Sequence, residues 1–420
     1  MKQITVALLG AGDRGMDAYG PYALRNPGDM KFVAVAEPNK ERKEEFKRQH
    51  SLTEDQCYDT WEDLLKQPRL ADALFICTSD KMHFEPAIQA LEKGYHILLE
   101  KPMSTDPYEC IVMGDYAEKF QRVFSVCHVL RYTPFFSTIK KVIENGDIGD
   151  VVSIQHNENV SYWHQAHSFV RGHFNNSDES SPMILQKCCH DMDIMLWLVG
   201  KDCLRLSSFG SLTHFKSENA PKGAPMRCLD GCPVSAECPY YAPKFYLTDD
   251  VGWPTSAISI NTDYESRKKA LEVGQYGRCV YHCNNNVVDH QVVSLEFEDG
   301  VTAAFTMCAF TNGNTRSIKI MGTKGEIRGY FEKNEIEIIN FGKPDKKVIN
   351  FKESKFGHGG GDDEIVREFV DLVRNEGQIK GRASAEVSVQ GSLMAFAAEE
   401  ARLTKKVVTL SEFKKQKSVK

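Results

Sequence analysis

Between Gln186 and Asp193 the chain reads Gln-Lys-Cys-Cys-His-Asp-Met-Asp. On a helix, positions 186, 190 and 193 share one face through i, i+4, i+7 spacing. Such a polar stripe can take a proton from a hydroxyl, because imidazole is the side chain that ordinarily titrates nearest neutrality. His190 is therefore a candidate base, with Lys187 as an adjacent cation and Asp193 as a contact for substrate; Gln186 carries no proton. A second candidate is Lys101 in Glu100-Lys101-Pro102, which ends the apolar run from His96. If that run is a parallel strand, the lysine stands at its carboxyl end, where open α/β sheets take ligands. Partly desolvated there, a lysine can act as a proton carrier. Trp163, His164 and His167, with Arg171 shortly after, set aromatic faces beside imidazole and guanidinium groups. That mixture suits a polyhydroxylated ring, which offers C–H faces for stacking and hydroxyls for hydrogen bonds. His358, before three glycines and Asp362, is a further candidate for the same role.

These groups need a scaffold, and the first part of the chain describes one. Short β-rich runs at Ile4–Leu9, Met30–Ala36, Ala73–Thr78 and His96–Glu100 alternate with amphipathic stretches, the pattern of repeated βαβ units and a parallel sheet. Gly10-Ala11-Gly12-Asp13-Arg14-Gly15 follows the first run and opens a helix. Its glycines permit a tight turn and close approach of backbone to a pyrophosphate at a helix N-terminus. Glu37 ends the second strand about twenty residues further on, where an acid holds the adenosine ribose and repels a 2′-phosphate. The expected cofactor is therefore NAD rather than NADP, although Arg42 and Lys43 keep NADP open.

Three further segments carry a resemblance. Thr78-Ser79-Asp80-Lys81-Met82-His83, then Ala90-Leu91-Glu92-Lys93-Gly94-Tyr95-His96, then Glu100-Lys101-Pro102 resemble the ordered signature of the Gfo/Idh/MocA oxidoreductases. Arg131-Tyr132-Thr133-Pro134 and Gly146-Asp147-Ile148-Gly149 are similar to two more of its motifs. The resemblance implies that Thr78, Asp80, His83, Glu100 and Arg131 line the cofactor, that Lys101 contacts nicotinamide and substrate, and that Pro102 is cis. It also implies an aspartate at 186 paired with the histidine, and this sequence departs from that with Gln186. The implied activity is oxidation of a ring CH–OH in a sugar, glycoside or inositol-like substrate. The alternatives are an NAD-dependent glycoside hydrolase, which oxidises its substrate transiently, and a cofactor-binding protein without turnover.

From Val151 onward the hydrophobic period changes to two, with strands expected at Val151–Val160, Val292–Phe297, Thr302–Ala309, Arg316–Met321, Gly325–Phe331 and Glu335–Phe341. The expected fold is α/β: a Rossmann domain over 1–128, then an α+β domain over 129–420 with a large, mostly antiparallel open sheet. One helix is expected over Met183–Val199, one from a cap at Asp362, one over Ala383–Thr404, and a solvated lysine-rich tail beyond. The segment 221–286 is rich in Cys, Pro, Gly and Tyr and poor in core-forming runs. Cys228, Cys232, Cys238 and Cys279 are expected to staple it around a structural zinc or an iron–sulfur cluster. A net charge of −6 without a basic stripe argues against nucleic acid. The lack of a long apolar run argues against a membrane span. Thirteen cysteines and an N-terminus without signal-peptide character suggest a reduced, cytoplasmic setting. An uncovered apolar face of the second sheet would make the protein a homodimer or homotetramer.

Overall fold

Six short strands arise from the apolar runs of the N-terminal part: β1 Ile4–Leu9, β2 Met30–Ala36, β3 Cys57–Tyr58, β4 Ala73–Ile76, β5 His96–Leu99 and β6 Phe124–Val126. In this computed structural model, which describes residues 2–352, 357–378 and 380–419, they pair in parallel in the order β3-β2-β1-β4-β5-β6. That is the doubly wound order in which dinucleotides bind at the carboxyl ends of the strands. Near-continuous burial of β1, β4 and β5 explains why they read as unbroken apolar runs rather than alternating ones. The helix expected after Gly15 is split. Residues Asp13–Tyr19 form a π-helical turn, and Pro21, with no N–H to donate backward, sits in the first turn of the α-helix Gly20–Arg25.

The second sheet has nine strands: β7 Val151–Ser161, β8 Cys203–Ser211, β9 His290–Phe297, β10 Thr302–Thr311, β11 Thr315–Gly322, β12 Gly325–Tyr330, β13 Glu335–Asn340, β14 Lys347–Asn350 and β15 Val408–Thr409. Their order is β14-β13-β12-β11-β7-β10-β9-β8-β15, antiparallel except for the central β7–β10 pair. Helices Cys189–Val199 and Ala385–Thr404 cover one face. The other face is not the apolar surface that was expected. Asn157 donates to Ser317 and Asn159 to Thr315 along it, at 3.0 and 2.8 Å, and the large apolar side chains exposed on it include Phe209, Val292 and Phe310.

Three local expectations change. The stretch Met183–Val199 is two helices, Met183–Gln186 and Cys189–Val199, interrupted at Lys187-Cys188. Asp362 lies inside the helix Gly361–Arg374 rather than capping it, and Gly360 holds the cap position with φ +90°. The tail after Thr404 is not merely solvated, because Leu410 and Phe413 on the helix Leu410–Lys417 are buried. The Cys-rich segment adds the short helices Pro243–Tyr246 and Tyr264–Val273, packed on two small cores of their own.

Candidate active site

The glycine loop divides its work among three residues. A Cβ at Gly10, whose φ is +88°, would lie 2.7 Å from the Cys77 carbonyl oxygen, and one at Gly15 would lie 2.2 Å from the Gly10 oxygen. These two are glycines because the turn and the helix–strand packing leave no room. At Gly12 the nearest atom would be Arg42 Nη1 at 3.8 Å, so the loop is open there for a phosphate. Glu37 is buried and accepts from the N–H groups of Ala11 and Asn39 at 2.8 and 2.9 Å, which ties the end of β2 to the loop. Asp13 is exposed, and Tyr276 of the Cys-rich segment lies within electrostatic reach of it.

Arg14 faces inward rather than toward a phosphate. Its Nε donates to Glu100 at 2.6 Å and its Nη2 to Asp362 at 2.7 Å, while Tyr19 donates to Glu100 at 2.5 Å. Burial opposes ionisation of both carboxylates. It is outweighed for Glu100 chiefly by Arg14 and Tyr19, and for Asp362 by His358 and Arg14, so both stay below the usual carboxylate range.

At the carboxyl edge of β5 the Lys101–Pro102 bond is cis. His83 is buried with its ring nitrogens 2.9 Å from the Pro102 oxygen and 3.0 Å from the Thr78 oxygen, and Thr78 Oγ1 donates to Met82. His83 therefore braces the edge from behind. Lys101 Nζ donates to the Gln186 carbonyl at 3.1 Å, and the Gln186 amide donates to Asp80 at 3.1 Å. Because the chain breaks at Lys187, Gln186 no longer shares a continuous helical stripe with His190.

His190 is buried, and its Nδ1 has no hydrogen-bond partner among the described residues. Burial, with Lys101 and His128 nearby, pushes its titration well below the ordinary 6.5, so the ring is neutral. The rings of His128 and His358 stand 6.0 and 6.2 Å away. Asp193 accepts both arms of Arg131 at 2.7 Å, and Arg131 also donates to the Arg382 oxygen. The Arg131 guanidinium is thus committed to holding Asp193 and the start of the C-terminal helix. His128, Tyr19 and Asp362 were not identified as site residues from sequence; for His128 the signal was its place just beyond a strand end at this edge.

On the substrate side, Lys187 lies 3.3 Å from Glu158, which also pairs with Arg316 at 2.5 Å. Arg316 and His156 both hold Asp191 at 2.8 Å. His164 is fixed by Asn314 at 2.9 Å, and its ring lies 5.8 Å from Trp163 and 5.0 Å from Trp253. Burial, with Lys187 close, pushes His164 down to about 3. Trp253 belongs to the Cys-rich segment, and nothing in the sequence marked it. His167 is buried against Tyr246 and Tyr276, 2.9 Å from the Tyr246 hydroxyl, so it joins the lobe to the loop. Arg171 does not face the substrate side as expected. It is buried in the lobe, donating to the oxygens of Arg278 and Tyr240 at 2.7 and 2.6 Å and lying 3.6 Å from Cys228 Sγ.

Cys228, Cys232, Cys238 and Cys279 line one small pocket of about 10 Å³. Cys283 is turned away to the Cys279 carbonyl at 3.3 Å. Neither the zinc nor the iron–sulfur cluster expected there is supported: among the described residues no group of three or more His, Cys, Asp or Glu side chains is placed to hold a metal ion. Also among the described residues, no helix is long and apolar enough to cross a membrane.

Residues 4–128 match the family described as "Oxidoreductase family, NAD-binding Rossmann fold", and residues 136–328 match the "GFO/IDH/MocA C-terminal domain". Among curated relatives, the Bacillus subtilis oxidoreductase YteT is 23% identical over 331 residues, 74% of each chain. The levoglucosan dehydrogenase of Pseudarthrobacter phenanthrenivorans is 28% identical over 48% of this chain and 52% of its own. The solved levoglucosan dehydrogenase bound to NADH and levoglucosan superposes with a TM-score of 0.73 at 18% identity, over 97% of this chain and 100% of that one. The Lactobacillus casei scyllo-inositol dehydrogenase bound to NAD(H) and scyllo-inositol gives 0.68 at 19%, over 98% and 100%; both likenesses concern the fold. With a glycine loop open at Gly12, Lys101 on the cis edge of β5, and both domain profiles matched, the chain belongs to the Gfo/Idh/MocA family of NAD-binding oxidoreductases.

Proposed function

We propose that the protein is an NAD-dependent dehydrogenase that oxidises a ring CH–OH of a sugar, glycoside or inositol-like molecule. The observation that carries this reading is a neutral, buried His190 with an unpartnered Nδ1, beside Lys101 at the carboxyl edge of the dinucleotide sheet. NAD, when bound, supplies the hydride acceptor. The loop Gly10–Gly15 and Glu37 would hold its phosphates and adenosine ribose. Lys101 orients the reacting hydroxyl and favours the developing negative oxygen, and His190 takes the proton. Gln186 serves as a spacer between Lys101 and Asp80 rather than as an acid. Trp163 and Trp253 offer faces to the C–H side of a ring, and His164 and Lys187 offer polar contacts to its hydroxyls. Relatives whose names specify levoglucosan and inositols favour this substrate class.

The test is a panel of sugars, glycosides and inositols incubated with NAD. NADH accumulating in proportion to oxidised product is the expected result. A glycoside that releases its sugar without net NADH would support the redox-cycling hydrolase instead. Tight NAD binding with no turnover across the panel would sink both.

A further inference from the structure

Oxidation of a CH–OH group sets free a hydride and a proton, and the dehydrogenase reading, on which this inference rests, leaves the proton on His190. It cannot remain there. His190 is 6% exposed, and the charged or titratable groups that face it are Lys101 at the edge of β5, His128 beyond β6, Arg316 on β11 and His358 just before the helix Gly361–Arg374. Among the described residues no carboxylate accepts from its Nδ1, and Gln186 on the preceding short helix carries no proton. Burial and the cations Lys101 and Arg316 make imidazolium the unfavoured form of His190, so a proton received from substrate must leave before the next turnover.

Two imidazoles adjoin His190, and only one of them reaches solvent. The His128 ring stands 6.0 Å away, but that side chain is 1% exposed, and its neighbour Asp193 is already taken by both arms of Arg131. The His358 ring stands 6.2 Å from His190 and is 43% exposed. Its Nδ1 lies 3.1 Å from Asp362 Oδ2. Asp362 also accepts from Arg14, stays ionised, and therefore takes the Nδ1–H of His358 as acceptor. That fixes the tautomer with the Nε2 lone pair free, and it sets a carboxylate against the charge that a second proton brings. The loop is seated for this, since a Cβ at Gly361 would lie 2.3 Å from the oxygen of Val129, the residue after His128. We propose that His358, oriented by Asp362, is the proton relay of the reaction. The O–H bond of the substrate breaks as an N–H bond forms on His190. His190 then gives the proton through one bridging water to His358 Nε2, which releases it to solvent while Asp362 keeps the Nδ1 proton in place.

The experiment uses the full chain with NAD and the member of the sugar and inositol panel that the wild type turns over fastest. His358→Gln, which keeps a donor to Asp362, and His358→Ala should each lower kcat about 10²-fold at pH 7 while NAD affinity stays within a few-fold. Added imidazole should restore His358→Ala saturably, because it fits the space of the lost ring and carries the proton in its stead. In histidine-nitrogen NMR of the cofactor-free protein, the neutral ring whose signals vanish in His358→Gln should carry its proton on Nδ1. Three results overturn the relay and leave the dehydrogenase reading intact: turnover within a few-fold of wild type in either variant, no rescue by imidazole in His358→Ala protein that melts as wild type does, or the His358 proton on Nε2. Wild-type protein that forms no NADH across the panel overturns that reading and the relay with it.

Discussion

Lys101 Nζ rests on the Gln186 carbonyl, among the imidazoles of His128, His164 and His190, and it touches none of the groups that shape the glycine loop. Lys101→Ala is therefore expected to slow single-turnover reduction of NAD by about 10²–10⁴-fold while leaving NAD affinity within a few-fold. A calorimetric loss of NAD binding would instead give the lysine a role in holding the cofactor. His190 adds a pH prediction. A base must be unprotonated to work, and burial lowers its folded value well below 6.5, so activity persists into mildly acid solution. An acid limb of kcat/KM at or above pH 7 would show that another group takes the proton. Glu37→Ala is expected to narrow a preference for NAD over NADP, measured as the ratio of the two dissociation constants, because the buried carboxylate then no longer repels a 2′-phosphate. At this scale Gly10 and Gly15 were legible because local spacing fixes the turn they make. Arg171 was misread because its partners come from 57 to 107 residues away, and no local pattern reports them.

Among the elements, β1 and β2 match their expected limits, because each has its own apolar run. The break at Lys187-Cys188 was invisible to periodicity, since Lys187 pairs with Glu158 on β7, a partner distant in sequence. Strands β8, β14 and β15 were missed because two are edge pieces and β8 alternates poorly. The strap Arg14–Glu100–Asp362 joins the Rossmann loop to the helix Gly361–Arg374 and carries its own prediction. The folded-state values of Glu100 and Asp362 are depressed, so their stabilisation is complete above the unfolded carboxylate value of about 4 and is lost as pH falls through it toward the folded values. Asp362→Asn should cost about 1–3 kcal/mol at pH 7, and the difference from wild type should shrink below about pH 4. A difference in melting temperature that stays constant with pH would mean that packing, not charge, is the source.

For the whole molecule, the division into two sheets was legible from the switch of hydrophobic period near Val151, but the character of the open face was not. Period-two strands show that two faces differ without showing which face the helices cover. That uncovered face presents a ladder of half-buried Asn, Ser and Thr side chains from β7, β10 and β11, already paired within itself. At one end Phe209 is 66% exposed beside its cross-strand neighbour Val292, with Phe310 on the next strand but one. Large aromatic and branched side chains left in water at neighbouring positions favour burial by about 25 cal/mol per Å² covered. An open sheet face can meet its own copy about a two-fold axis, with Phe209 of each protomer covered by the other. The expected outcome is a homodimer or homotetramer in light scattering at micromolar concentration. Phe209→Arg should shift it toward monomer by placing like charges across the axis, without changing NAD affinity. A wild-type monomer at that concentration, or an assembly indifferent to Phe209→Arg, would put the contact elsewhere on the molecule.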